Sequence, residues 1–150
     1  MSTIAEAGDA VILPTPLYFN HKMWLDTTGV ETRLLQCGEG MLPDPEAARA
    51  LIDENVKAIL LVTPNNPTGA EYPVGLLEGF MALAKECGLA LIIDESYRNF
   101  HSKSGTPHNL FAAARLARQS DPSILFFKGV PSDGSPCWRS GGLDRQIARD

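Results

Sequence analysis

Up to about Phe111 the chain alternates between two patterns of apolar and polar positions. Asp9-Ala10-Val11-Ile12-Leu13 is a short apolar run that stops at Pro14, as a buried strand does. Asn20 is placed to cap a short helix through His21-Lys22-Met23-Trp24-Leu25. Glu31 to Cys37 reads as a second strand. Pro43-Asp44-Pro45-Glu46 opens a helix through Ala47, Ala48 and Leu51, because proline wastes no donor there and the dipole favours acidic side chains. Lys57 to Val62 is apolar on both faces, which predicts a strand covered by helices on both sides. The turn Pro64-Asn65-Asn66-Pro67-Thr68-Gly69 follows. Val74 to Glu86 is an amphipathic helix, with Leu76, Leu77, Phe80, Leu83 and Ala84 near one side and Gly88 where a left-handed C-cap belongs. Leu89 to Ile93 is another apolar strand, ending in Asp94-Glu95.

Strands alternating with helices predict an α/β fold whose mostly parallel sheet is flanked by helices. Ligands of such sheets bind outside the carboxyl ends of the strands. Asn66 and Asp94 both lie just past such ends. After Phe111 the pattern changes. The final stretch, 131–150, is rich in Pro, Gly, Ser, Asp and Arg, and 112–150 is expected to be irregular, leaving 1–111 as the folded unit.

Composition narrows the classes. The net charge of -5 and pI of about 5.1 argue against general attraction to nucleic acid or to anionic membranes. No apolar stretch approaches the roughly 20 residues needed to span a bilayer. The opening MSTIAEAGDA has no basic region followed by an apolar one, so no secretory signal is expected. Cys37, Cys87 and Cys137 are isolated and odd in number, which fits free thiols in a reducing cytoplasm.

The candidate chemistry gathers at the strand ends. A carboxylate such as Asp94 ordinarily caps a turn or the next helix. Metal binding is a second reading, but no His or Cys lies nearby at ligand spacing. A third is pairing with a cationic ring nitrogen, which must stay protonated if the ring is to accept electrons. Tyr97, three residues on, is near enough to reach the same ligand. Asn66 presents an amide at the mouth of the sheet, while Pro67 and Gly69 fix a tight backbone path. Such residues also mark plain turns. The ordered series of strand, Asn-Asn-Pro-Thr-Gly, amphipathic helix and strand closing with Asp-Glu-x-x-Tyr is more specific than any one part.

VTPNNPTG followed by LIIDESY resembles the large domain of class I/II aminotransferases, the fold-type-I pyridoxal-phosphate enzymes. LPTPLYFNHKMW resembles the segment in which an aromatic ring stacks on the cofactor just before an Asn-His pair. The resemblance runs from about Ala7 to Phe111. It implies that Tyr18 stacks on the pyridine ring, that Asn66 and Tyr97 hydrogen-bond the ring oxygen, and that Asp94 pairs with the ring nitrogen. Apart from it, Tyr18 reads as an aromatic packing on the sheet end, and His21 and His108 as ordinary surface or cap histidines. It further implies cis bonds at Thr15-Pro16 and Asn66-Pro67, amino acid and 2-oxo acid substrates, and homodimeric intact relatives. Two rival readings stay open. One is a small α/β binding module with similar turns. The other is a non-catalytic fragment that joins an intact aminotransferase subunit through a sheet edge.

Other family parts are not found. By resemblance, Met1 falls part-way through the helix whose N-terminus grips the cofactor phosphate. The substrate-binding arginine of the small domain is lacking too. The family's lysine stands in a Ser-x-Ser-Lys context followed by Gly-x-Arg-x-Gly. Lys128 is 34 positions after Asp94, about the family's spacing, but its context is Phe126-Phe127-Lys128-Gly129. It reads as a tail lysine in the wrong surroundings. Back-translation of Leu116 to Arg139 with free wobble bases, read from the second base of each codon, changes that context. From Arg118 the second frame gives Asp-Asn-Leu-Ile-His-Leu-Tyr-Ser-Phe-Ser-Lys-Ala-Tyr-Arg-Leu-Thr-Gly-His-Arg-Val-Gly. Both missing motifs appear in order, which implies a frameshifted tail after about Ala113.

Overall fold

A computed structural model describes residues 4–102 and the backbone of residues 124–128. Five strands form one sheet: β1 (Ala10–Thr15), β2 (Glu31–Gln36), β3 (Val56–Val62), β4 (Ala90–Glu95) and β5 (Ile124–Lys128). Their order is β2-β1-β3-β4-β5, and every pairing is parallel. Among the described residues three α-helices connect the first four strands: α1 (Phe19–Thr28), α2 (Pro45–Arg49) and α3 (Val74–Cys87). The expected parallel α/β fold is therefore present, with apolar clusters on both faces of the sheet. On one, Ile59, Leu61 and Ile93 pack with Ala48 of α2 and Leu77, Phe80 and Leu83 of α3. On the other, Val11, Leu13, Leu60 and Ile92 pack with Leu25 of α1. Alternate residues of β3 thus enter opposite cores, which is why its sequence is apolar without a period.

The elements differ from the expectation in instructive places. β1 runs through Pro14 to Thr15 instead of stopping at the proline. The ladder from β1 to β3 ends at Ile12, while that to β2 continues to Thr15. The carbonyls of Asp9 and Thr15 accept from β2 and its continuation, and the amide of Ala10 donates toward β3. Pro14 therefore turns its missing donor to the side where pairing has already stopped. Helix α1 begins at Phe19, with Tyr18 as N-cap and no side-chain cap bond, so Asn20 lies inside the helix and does not cap it. Helix α2 opens as the sequence predicts, with Pro45 in its first turn and Asp44 capping it by accepting from the amide of Glu46, but it ends at Arg49, short of Leu51. The amphipathic α3 and its left-handed cap at Gly88, with φ of 66°, are as the sequence predicts.

Within the tail expected to be irregular, Ile124–Lys128 departs from that reading and forms β5. Four consecutive apolar residues, three of them β-prone, suit a place beside the apolar β4, and five residues are too few to show a period. The rest of 112–150, with Cys137, and also His108, lie outside the described residues. Among the described residues no helix is long and apolar enough to cross a membrane. Cys37 and Cys87 are both free thiols.

Candidate active site

The carboxyl ends of β1, β3 and β4 open into one pocket. Its walls include Leu13, Pro14, Leu17, Leu60 and Val62, which are apolar, and its polar groups include Tyr18, Asn20, His21, Asn66, Asp94 and Tyr97. All four residues singled out from the sequence therefore converge. The reason is topological: each lies at or just past the carboxyl end of a strand of a parallel sheet, so each is delivered to the same edge.

Asp94 lies within β4, with its side chain only 16% exposed. Its Oδ2 is 3.0 Å from Nε2 of His21. Its Oδ1 accepts from the amide of Ser96 at 2.8 Å and from the Ser96 hydroxyl at 2.5 Å. Burial pushes the Asp94 carboxyl up, but the bonds from His21 and Ser96 outweigh it and hold the group below the usual carboxylate range. The pocket therefore contains an ionised carboxylate against apolar walls. His21 is no ordinary surface histidine: α1 carries it back over the sheet edge to the carboxylate.

Two adjacent amides divide the work of the β3–α3 turn. Asn65 is buried, and its Oδ1 accepts from the Thr68 amide at 3.2 Å and the Thr68 hydroxyl at 2.8 Å. Its backbone closes the turn, donating to the carbonyl of Ala70 and accepting from the amide of Gly69, both at 2.8 Å. Gly69 has φ of 72°, a conformation that costs a side chain about 1–2 kcal/mol. With the turn built by Asn65, Asn66 faces outward, and its Nδ2 donates to the Tyr97 hydroxyl at 3.0 Å. The peptide bonds Thr15-Pro16 and Asn66-Pro67 are cis, as the resemblance implies, and Thr63-Pro64 is cis as well. Tyr18, 42% exposed, stands at the opening with its ring 4.6 Å from that of Phe19.

A flat ring suits this arrangement. Asp94 can hold a cationic ring nitrogen, Asn66 and Tyr97 can meet a ring oxygen, and Tyr18 has an open face for stacking. Among the described residues no group of three or more His, Cys, Asp or Glu is placed to hold a metal ion. Sequence reasoning missed His21 and Ser96. His21 follows Tyr18 by three positions at a helix start, which puts both near the same ligand. Its bond to a residue 73 positions away leaves no local signal.

The fold defines a parallel α/β unit with a pocket at the carboxyl edge of its sheet. Residues 1–129 match the profile of the aminotransferase class I and II family, and the chain belongs to that family. It is 38% identical over 99 residues to the aspartate/prephenate aminotransferase of Thermus thermophilus, covering 64% of this chain and 26% of that protein. It is 34% identical over 103 residues to the alanine aminotransferase of Mycobacterium tuberculosis, covering 65% of this chain and 23% of that one. The structure of Thermus thermophilus aspartate aminotransferase with maleate superposes with a TM-score of 0.73 at 28% identity, covering 89% of this chain and 34% of that chain. Cystalysin from Treponema denticola, whose structure contains pyridoxal 5'-phosphate, shares the fold with a TM-score of 0.71 at 20% identity, covering 83% of this chain and 32% of that one. The chain spans about a quarter of the length of the curated relatives it matches.

Proposed function

We propose that this chain carries the ring-binding part of a pyridoxal-phosphate-dependent aminotransferase, which moves an amino group between an amino acid and a 2-oxo acid. Family membership supports the cofactor and the reaction class. The observation that carries the site reading is the ionised Asp94 facing the pocket, with Asn66 and Tyr97 paired at 3.0 Å on its rim. The cofactor supplies an electron sink for the carbon that loses its proton. Asp94 keeps the ring nitrogen protonated, because an ionised carboxylate in a poorly solvated pocket favours a cationic neighbour. His21 and Ser96 hold that carboxylate in one orientation. Asn66 and Tyr97 donate to the ring oxygen, and Tyr18 covers one ring face.

On the same reading the 150-residue chain turns over no substrate by itself. The proton-transfer step needs a lysine base in the family's serine context, and Lys128 does not have it. The second frame of the back-translated tail does. In that back-translation lysine is read at position 128 in both frames, because the two codons overlap, and β5 ends at that residue. A titration of the full chain with pyridoxal 5'-phosphate, followed by absorbance, tests the reading. Wild type should bind saturably, Asp94→Ala and Asn66→Ala should weaken binding about tenfold each, and no variant should transaminate. Binding that ignores Asp94 removes the site from consideration. Turnover lost on Lys128→Ala refutes the inactive tail.

A further inference from the structure

We propose that Glu71 is a positioning residue, one that holds Tyr97 against Asn66. The inference rests on reading the Asn66–Tyr97 rim as the seat of the cofactor's ring oxygen. Two loops meet there, one after β3 and one after β4. The Asn66 amide and the Tyr97 hydroxyl join them across 31 residues of sequence. Five positions further along each loop a second link spans the same 31 residues. The Ser102 amide donates to Oε1 of Glu71 at 2.5 Å, and the Ser102 hydroxyl donates to Oε2 at 2.6 Å. The His101 ring also comes within 3.3 Å of Oε2. One carboxylate thus gathers two donors and a ring nitrogen from the far loop.

Tyr97 needs such a device. It stands just before a single 3-10 turn, Arg98–Phe100, and its own φ and ψ are -101° and 18°. It is 40% exposed, and its described aromatic neighbour, Phe100, is 79% exposed. A lone hydrogen bond between half-exposed side chains competes with water and contributes little by itself. Next to Tyr97 the loop is fixed by the Ser96 bonds to Asp94 on one side and by Arg98 on the buried Glu95 at 2.8 Å on the other. Downstream, Glu71 supplies the matching fixed point. Glu71 is itself set on a rigid turn. On one side, Ala70 accepts from the Asn65 amide at 2.8 Å; on the other, the Tyr72 amide donates to the Thr63 hydroxyl at 2.9 Å. Charge-assisted bonds to one carboxylate are stronger than neutral ones, so this link is the firmer of the two cross-loop ties. It restricts the phenol before any ligand arrives, which lowers the ordering cost of binding.

Two measurements on the full chain test this. Amide hydrogen exchange without cofactor should be about tenfold faster at Phe100 to Ser102 in Glu71→Ala, as expected for a lost charge-assisted bond, while β1, β3 and β4 stay protected. Glu71→Gln, which can still bond Ser102, should keep most of the protection, and Ser102→Ala should lose part of it. Titration with pyridoxal 5'-phosphate should show affinity about fivefold weaker in Glu71→Ala, with Tyr97→Phe adding nothing further in that background. Unchanged exchange at Phe100 to Ser102 in Glu71→Ala, or strictly additive losses for Glu71→Ala and Tyr97→Phe, overturns the proposal. If wild type binds no pyridoxal 5'-phosphate, the cofactor reading of the rim fails, and the exchange data alone decide whether Glu71 fastens the loop. If Glu71→Ala does not fold, Glu71→Gln and Ser102→Ala decide by the same two readouts.

Discussion

The Nε2 atom of His21 lies 3.0 Å from Oδ2 of Asp94, joining the first turn of α1 to the end of β4. Ser96 occupies the other carboxylate oxygen, so both oxygens of Asp94 have a partner within the chain. The carboxylate is therefore oriented before any ligand enters. Replacing His21 by alanine should let the Asp94 titration move upward, because the largest influence opposing its burial is gone. Carboxyl-carbon NMR titration of wild type and His21→Ala reads this directly. The same change should cost about 1 kcal/mol of stability. An Asp94 titration unmoved by the substitution would mean that the bond carries no electrostatic weight.

Stability should also fall on the acid side through Asp94. Its folded-state value is held below the unfolded one, so its contribution is fully present above the unfolded value of about 3.9 and is lost as pH falls through the folded value. Asp94→Asn removes this dependence. Urea midpoints measured from pH 6 down to pH 3 should converge for wild type and Asp94→Asn as the medium becomes acidic. Parallel curves throughout that range would contradict the depressed carboxyl.

The core on the α3 side rests on Phe80, which is fully buried among β3, β4 and α3. Phe80→Ala should destabilise the chain by about 3–5 kcal/mol, because it removes a large apolar side chain and leaves a cavity. Equilibrium urea unfolding measures it. A cost under about 1 kcal/mol would mean that α3 is not seated on the sheet as described.

The gene itself offers the sharpest test of the tail. If residues after about Ala113 are a shifted reading, the second frame of the locus encodes Ser-Phe-Ser-Lys, then Gly-His-Arg-Val-Gly. Wobble freedom lets any single codon match by luck, but not readily both motifs in order. The DNA sequence decides, and a second frame without Ser-Phe-Ser-Lys ends the proposal.

The strands were legible because parallel sheets bury both strand faces. In β3, Ala58 and Leu60 enter one core while Ile59 and Leu61 enter the other. The meeting of Tyr18, Asn66, Asp94 and Tyr97 was legible for the same topological reason. His21 was not, because its role depends on how α1 folds back over the sheet, and nothing local encodes that. The helix start was misread because Asn20 is a good cap by type, yet the chain turns two residues earlier, at Tyr18. Asn65 and Asn66 are indistinguishable as letters, and only burial separates the turn builder from the residue at the rim. β5 was hidden by its brevity.

Register gives the sheet a further meaning. Val62 pairs with Asp94 in the ladder between β3 and β4, and Pro14 and Thr15 reach the same edge on β1. Each residue along a strand advances it by about 3.3 Å, and each step also reverses the side on which a side chain stands. The strands therefore act as rulers of fixed length. Deleting one residue of β4 ahead of Asp94, from Ala90 to Ile93, would draw Asp94 back by more than a hydrogen bond's length and turn it away from His21. Chain length inside β3 and β4 is as binding a specification of this site as the identity of its side chains, whereas surface loops such as the one around Glu39 carry no such constraint.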